Sequence, residues 1–167
     1  MNFILLGFVY SVFFYRRWRR KSLQELVINS LLYIYLVMVL FVTIMPYPIP
    51  FASSNNLFMD TANFIPFRDL MMNYDGAVRE IILNVIMMMP FGFLFPLIKK
   101  KGIFITVGMT FLFSFCIESL QLLGVWWGSL YTRSFDVTDL ITNTFGGLFG
   151  YLIYIIFKPF MFKILKG

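Results

Sequence analysis

Residues 103–123 read IFITVGMTFLFSFCIESLQLL, an apolar run broken by a single charge, Glu118. As an α-helix this run rises about 32 Å, enough to cross a bilayer core about 30 Å thick. Comparable runs lie on either side, at about Leu26–Met45, Val78–Ile98 and Val137–Phe157, with a shorter one at Asn2–Tyr15. The fold class that follows is all-α: a polytopic membrane bundle of about five transmembrane helices, or four if the N-terminal run lies in the interface. Composition agrees, with 60% hydrophobic and 13% charged residues and a mean hydropathy of +0.82. A soluble domain carries about 25% charged residues. The 167 residues suffice for one integral membrane domain, 1–167, with no room for an appended soluble one.

The N-terminal run is short for a span, rising only about 21 Å over its fourteen residues. It has no basic segment before it and no small-residue cleavage site, so it does not read as a signal peptide. Its basic cluster (Arg16, Arg17, Arg19, Arg20, Lys21) comes after it, beside Trp18. Snorkelling arginines and an interfacial tryptophan would extend its reach.

Basic residues set the orientation. If the loop after the first run, the Lys99–Lys101 loop and the C-terminus face the cytoplasm, 11 of the 14 Lys and Arg residues lie inside. Only Arg68, Arg79 and Arg133 remain outside. The N-terminus is then external if the first run spans, the C-terminus is cytoplasmic, and the expectation is a multi-pass membrane protein. Basic residues gathered in short clusters beside apolar runs make nucleic acid a poor partner. With no histidine and one cysteine, Cys116, an internal disulfide and a His/Cys zinc site are both excluded.

Two stretches fall on the outer side. Residues 46–77 contain Pro46, Pro48, Pro50 and Pro66 and cannot form one continuous helix. They remain apolar enough to pack on the bundle or dip into the outer leaflet. Residues 124–135 hold Trp126, Trp127 and Tyr131, suited to the aromatic belt at a membrane surface.

An ionisable residue inside a span is costly and is therefore a functional candidate. Ser114, Glu118 and Gln121 share one helix face by their spacing. Cys116 lies off that face and reads as a small packing residue. The stripe Asp136, Asp139, Asn143, Gly147 and Gly150 is polar at its outer end and small further in. Gly146 and Gly150 form GxxxG, which permits close helix approach and, as one option, a homodimer. Arg79 and Glu80 open the 78–98 run, with Asn84 a turn below, and Pro90 with Gly92 marks a kink in its middle. Asn84, Glu118 and Asn143 lie at one depth, roughly 8–9 Å below the outer surface. Arg79, Glu80, Arg133, Asp136 and Asp139 sit just above. The expectation is an outward-facing polar pocket roofed by the two outer loops. An asparagine in this layer serves equally well as interhelical glue. A carboxyl is a costlier glue than an amide or hydroxyl, which makes Glu118 the sharper candidate. Met87–Met89 reads as lipid-facing filler, and Lys99–Lys101 as a topology signal that meets anionic lipid.

These residues resemble the VanZ-like family. The likeness runs from Asn63-Phe-Ile-Pro66-Phe67 through Asn84-Val-Ile-Met-Met-Met-Pro90-Phe91-Gly92 and Glu118-Ser-Leu-Gln121. It continues in Arg133-Ser-Phe-Asp136-Val-Thr-Asp139-Leu-Ile-Thr-Asn143-Thr-Phe-Gly146-Gly147 and closes at Gly150, so the VanZ-like core is about 63–151. The resemblance implies a membrane protein of Gram-positive bacteria that lowers susceptibility to teicoplanin, a glycopeptide antibiotic with an acyl tail. It carries motif positions rather than catalytic roles.

Three functions remain open from sequence. The favoured one is a cell-envelope protein whose pocket holds an amphiphile: a membrane lipid headgroup, a lipid-linked wall precursor or a lipoglycopeptide. Arg79 and Arg133 would suit phosphate or carboxylate, and the acids an amine. The second is a membrane-embedded enzyme acting on an envelope lipid, with Glu118 as acid or base. Asp136 and Asp139 are weak metal candidates, because two carboxylates three residues apart equally suit a helix N-terminus. The third is a small transporter. No cofactor is implied, and the absence of a histidine base or a nucleophile motif leans away from an enzyme.

Overall fold

In a computed structural model, residues 8, 10–15, 18, 22–44, 55–128 and 134–166 are described, with side chains as far as residue 160. Four long helices dominate: α1 (Leu23–Ile44), α3 (Ala77–Lys99), α4 (Ile103–Trp126) and α5 (Val137–Lys166). A single turn, α2 (Arg68–Met71), and a 3₁₀ turn (Phe58–Thr61) lie between α1 and α3. All four long helices are long and apolar enough to cross a membrane, α5 over Val137–Phe160. The protein is a multi-pass membrane protein. Of the N-terminal run, Tyr10–Tyr15 form a six-residue π-helix that lies against α1. There the Tyr10 hydroxyl meets Ser30 Oγ at 2.6 Å, and the Tyr10 and Phe14 rings each lie 5.2 Å from Tyr33. The basic cluster that follows, Trp18 apart, lies outside the described residues.

Glycines and one short turn account for how the helices meet. Lys100 adopts a left-handed conformation (φ 53°), and its N–H donates to the Pro96 carbonyl at 2.8 Å. With Lys101 and Gly102 as the rest of the connection, α4 must return antiparallel to α3. The closest packing is between α3 and α5. A Cβ on Gly92 would collide with the Gly147 carbonyl, one on Gly146 with the Val85 carbonyl, and one on Gly150 with the Met89 carbonyl. The two backbones therefore touch directly, as small residues allow within a membrane. Gly147 is in turn covered by Thr110 of α4. The GxxxG face is thus filled within the chain and is not free to receive a second copy.

The buried apolar centre is Val39, Met88 and Ile117, surrounded by Tyr35, Leu40, Met87 and Phe113. Met88 is completely buried, which corrects the reading of Met87–Met89 as lipid-facing filler. Successive residues on a helix diverge by about 100°, so three methionines in a row cannot share one face. Cys116 is exposed on the bundle surface rather than packed within it. Helix α3 continues through Pro90 and Pro96. The Tyr35 hydroxyl of α1 donates to the Met87 carbonyl of α3 at 2.8 Å. Large apolar side chains such as Leu31, Met38, Ile86, Phe104 and Ile156 face outward, a surface suited to lipid and not to water.

Candidate functional site

The polar residues singled out by spacing do meet, at the end of the bundle where α3 and α5 begin and α4 ends. Asn63, in the loop before α2, pairs with the start of α5 in a short parallel bridge. Its N–H donates to the Phe135 carbonyl (2.8 Å), and its carbonyl accepts from Val137 N–H (3.0 Å). Its Nδ2 donates to Asp136 Oδ2 at 2.9 Å. The other Asp136 oxygen accepts the Thr138 N–H at 2.6 Å and closes a turn at the head of α5. The Asp136 N–H itself donates to Glu118 Oε2 at 3.0 Å. One residue therefore ties the loop before α2, α4 and α5 together. Deeper in, Asn84 of α3 donates to Asp139 Oδ1 at 2.6 Å, and Asn143 of α5 donates to Ser114 Oγ at 2.9 Å. Gln121 donates to the Thr43 carbonyl at 3.0 Å, linking α4 to the end of α1.

This geometry changes the expected pocket. Asn84, Glu118, Gln121 and Asn143 are all buried, Glu118 to 2% exposure and Asn143 to 1%. They form a closed hydrogen-bonded layer between helices and do not line an opening. Gln121 Oε1 and Asn143 Oδ1 are buried without a hydrogen-bond partner in the described structure. A cleft of about 20 Å³, roughly the space one water needs, opens above the layer. Asp69, Glu80, Asp136, Thr138 and Asp139 supply its polar lining, and Phe67, Leu70, Ala77 and Ile81 its apolar part. Of the predicted residues, Glu80, Asp136 and Asp139 reach it. Arg79 is exposed and does not line it. Arg133 lies outside the described residues. Asp136 and Asp139 turn carboxylate oxygens toward N–H donors. Among the described residues, no group of three or more His, Cys, Asp or Glu is placed to hold a metal ion.

Sequence reasoning missed several participants. Thr106 and Thr110 continue the Ser114–Glu118 face inward in steps of four and are fully buried, each bonding the carbonyl one turn back. That spacing was available to find them. Thr138 was not findable in this way: its Oγ1 accepts the Phe67 N–H at 2.9 Å across 71 residues of chain. Phe67 is held there in a left-handed conformation (φ 57°), uncommon for a bulky residue. Asp69 joins the cleft through the same loop. Helix α4 also runs on to Trp126, with Gly124 and Val125 buried, so the expected loop at 124–135 begins later.

The family comparison falls on this same architecture. The family described as VanZ/LLP1 matches residues 32–158, which takes in most of α1 and all of α2 to α4. The chain belongs to the VanZ/LLP1 family. It is also similar to Protein VanZ of Enterococcus faecium, 29% identical over 127 residues, covering 75% of this chain and 72% of that protein. No solved structure matches the chain. The VanZ/LLP1 match extends beyond 63–151, the stretch that carries the motifs, to both flanking helical regions. Within that span every motif position with a polar side chain, Arg133 apart, sits at the α3–α4–α5 end of the bundle.

Proposed function

We propose that this chain is a cell-envelope protein that lowers susceptibility to lipoglycopeptides of the teicoplanin kind by engaging an amphiphile at the polar end of its bundle. The observation that carries the reading is the family match across residues 32–158, with the relative named Protein VanZ beside it. The surface at that end supports it. The cleft rimmed by Asp69, Glu80, Asp136 and Asp139 is too small to enclose a headgroup, so it would touch one from outside, and its acids suit an amine. A lipid-facing groove of about 390 Å³ starts at Val137, next in the chain to Asp136, and descends past Leu140, Ile141, Thr144 and Leu148. An acyl chain in that groove would leave its polar head beside the cleft.

The test is antibiotic susceptibility in a Gram-positive host lacking its own copy. Wild type, Glu80→Gln and empty vector are compared at matched membrane levels against teicoplanin and vancomycin. Wild type should raise tolerance to teicoplanin but not to vancomycin, and Glu80→Gln should reduce that gain. If wild type changes neither, the resistance reading is withdrawn. If wild type protects and Glu80→Gln protects equally, the cleft is not where the ligand is held.

A further inference from the structure

We propose that the loop between α1 and α3 is itself a membrane-inserting element, with residues 64–74 seated in the interfacial layer of the adjacent leaflet. Six large apolar side chains in that stretch, Phe64, Ile65, Leu70, Met71, Met72 and Tyr74, are exposed, Met71 to 70% and Met72 to 66%. The described residues leave these side chains uncovered, an apolar surface unsuited to water.

Three observations make lipid the occupant. The first is continuity. Tyr74 lies three residues before α3, and the outward face of α3 carries on the apolar surface at Val78, Ile82 and Ile86, which the bilayer must cover. The second is the backbone, since a segment entering lipid must satisfy its own polar groups. The Ile65 N–H donates to Asn63 Oδ1 (3.1 Å) and the Phe67 N–H to Thr138 Oγ1 (2.9 Å). Met71, Met72, Asn73 and Tyr74 donate to the carbonyls of Phe67, Arg68, Leu70 and Asp69 at 2.9–3.2 Å. Polar atoms are thus spent inside the loop and against α5, while the apolar side chains are left outside. The third is charge. Arg68, Asp69 and Asp75 are exposed in or beside the stretch. This places it at the boundary of headgroups and acyl chains rather than in the hydrocarbon core, where such charges could not reach water. The inference does not depend on what the cleft binds.

The experiment uses full-length protein in phosphatidylcholine–phosphatidylglycerol vesicles, with Cys116→Ala removing the native thiol. An environment-sensitive fluorophore is attached at Met71→Cys, at Met72→Cys, or at Ile86→Cys on the lipid face of α3. Ile86 lies nine residues past Ala77, about 14 Å along the helix. Nitroxide lipids labelled near the headgroup should quench the probes at 71 and 72 strongly. Those labelled deep in the chain should quench 86 preferentially, and aqueous iodide should quench 71 and 72 weakly. Strong iodide quenching at both 71 and 72, with no lipid quenching, would overturn the proposal. So would protection of both from every quencher, which would mean that a second copy covers the loop.

Discussion

Glu118 holds the Asp136 N–H from a site almost closed to solvent, so its replacement separates charge from hydrogen bonding. Glu118→Gln keeps an acceptor oxygen. Glu118→Ala leaves the Asp136 N–H unsatisfied, at a cost of about 1–3 kcal/mol. The expected outcome is a clearly lower thermal unfolding midpoint for the alanine variant in detergent, and a much smaller change for the glutamine variant. Equal loss in both would mean that the charge itself stabilises the site. Asn84→Leu should destabilise by a similar amount, because it takes the donor from Asp139. A polar residue in an apolar run announces itself in sequence, and Asn84, Glu118, Gln121 and Asn143 were all legible for that reason. Their partners were not. Nothing local to Glu118 indicates that it meets a backbone N–H 18 residues further on. Met88 shows the reverse case, since its burial depends on which arc of α3 the other helices cover.

At the scale of elements, the helix pair α3–α5 is set by backbone contact at Gly92, Gly146 and Gly150. Gly150→Leu should push α5 away from the Met89 carbonyl and cost about 1–3 kcal/mol or more, as overpacking does. Gly108 provides the contrast: a Cβ there meets nothing within 4 Å, and it lies inside α4. Gly108→Ala should therefore be neutral or should stabilise by up to about 1 kcal/mol through helix propensity. Both are read by thermal unfolding of the purified protein, and a loss at Gly108 equal to that at Gly150 would refute the packing argument. GxxxG was visible in sequence, but whether it joined two chains or two helices of one chain was not. In the structure both glycines face α3 of the same chain, Gly146 against the Val85 carbonyl and Gly150 against the Met89 carbonyl.

For the whole molecule, the loop contacts decide which ends share a side. Asn55 bonds the Trp126 carbonyl, and Asn63 bonds Phe135 and Asp136, so residues 55–76 and 134–136 lie at one end and Lys99–Lys101 at the other. Combined with the positive-inside rule, this predicts that a membrane-impermeant thiol reagent labels Asn56→Cys in intact cells. Lys101→Cys should react only after permeabilisation, both in a Cys116→Ala background. The opposite pattern would invert the orientation and put the acidic cleft in the cytoplasm. Sequence alone determined the class, the four long spans and the faces that carry polar groups. Each follows from hydropathy and helical period, which are properties of a residue and its near neighbours. Only the tertiary structure decided that the polar layer is closed and the open cleft lies above it. Hydrogen bonds between helices depend on distances set by glycine contacts and loop pairing across the chain, and these have no local signature.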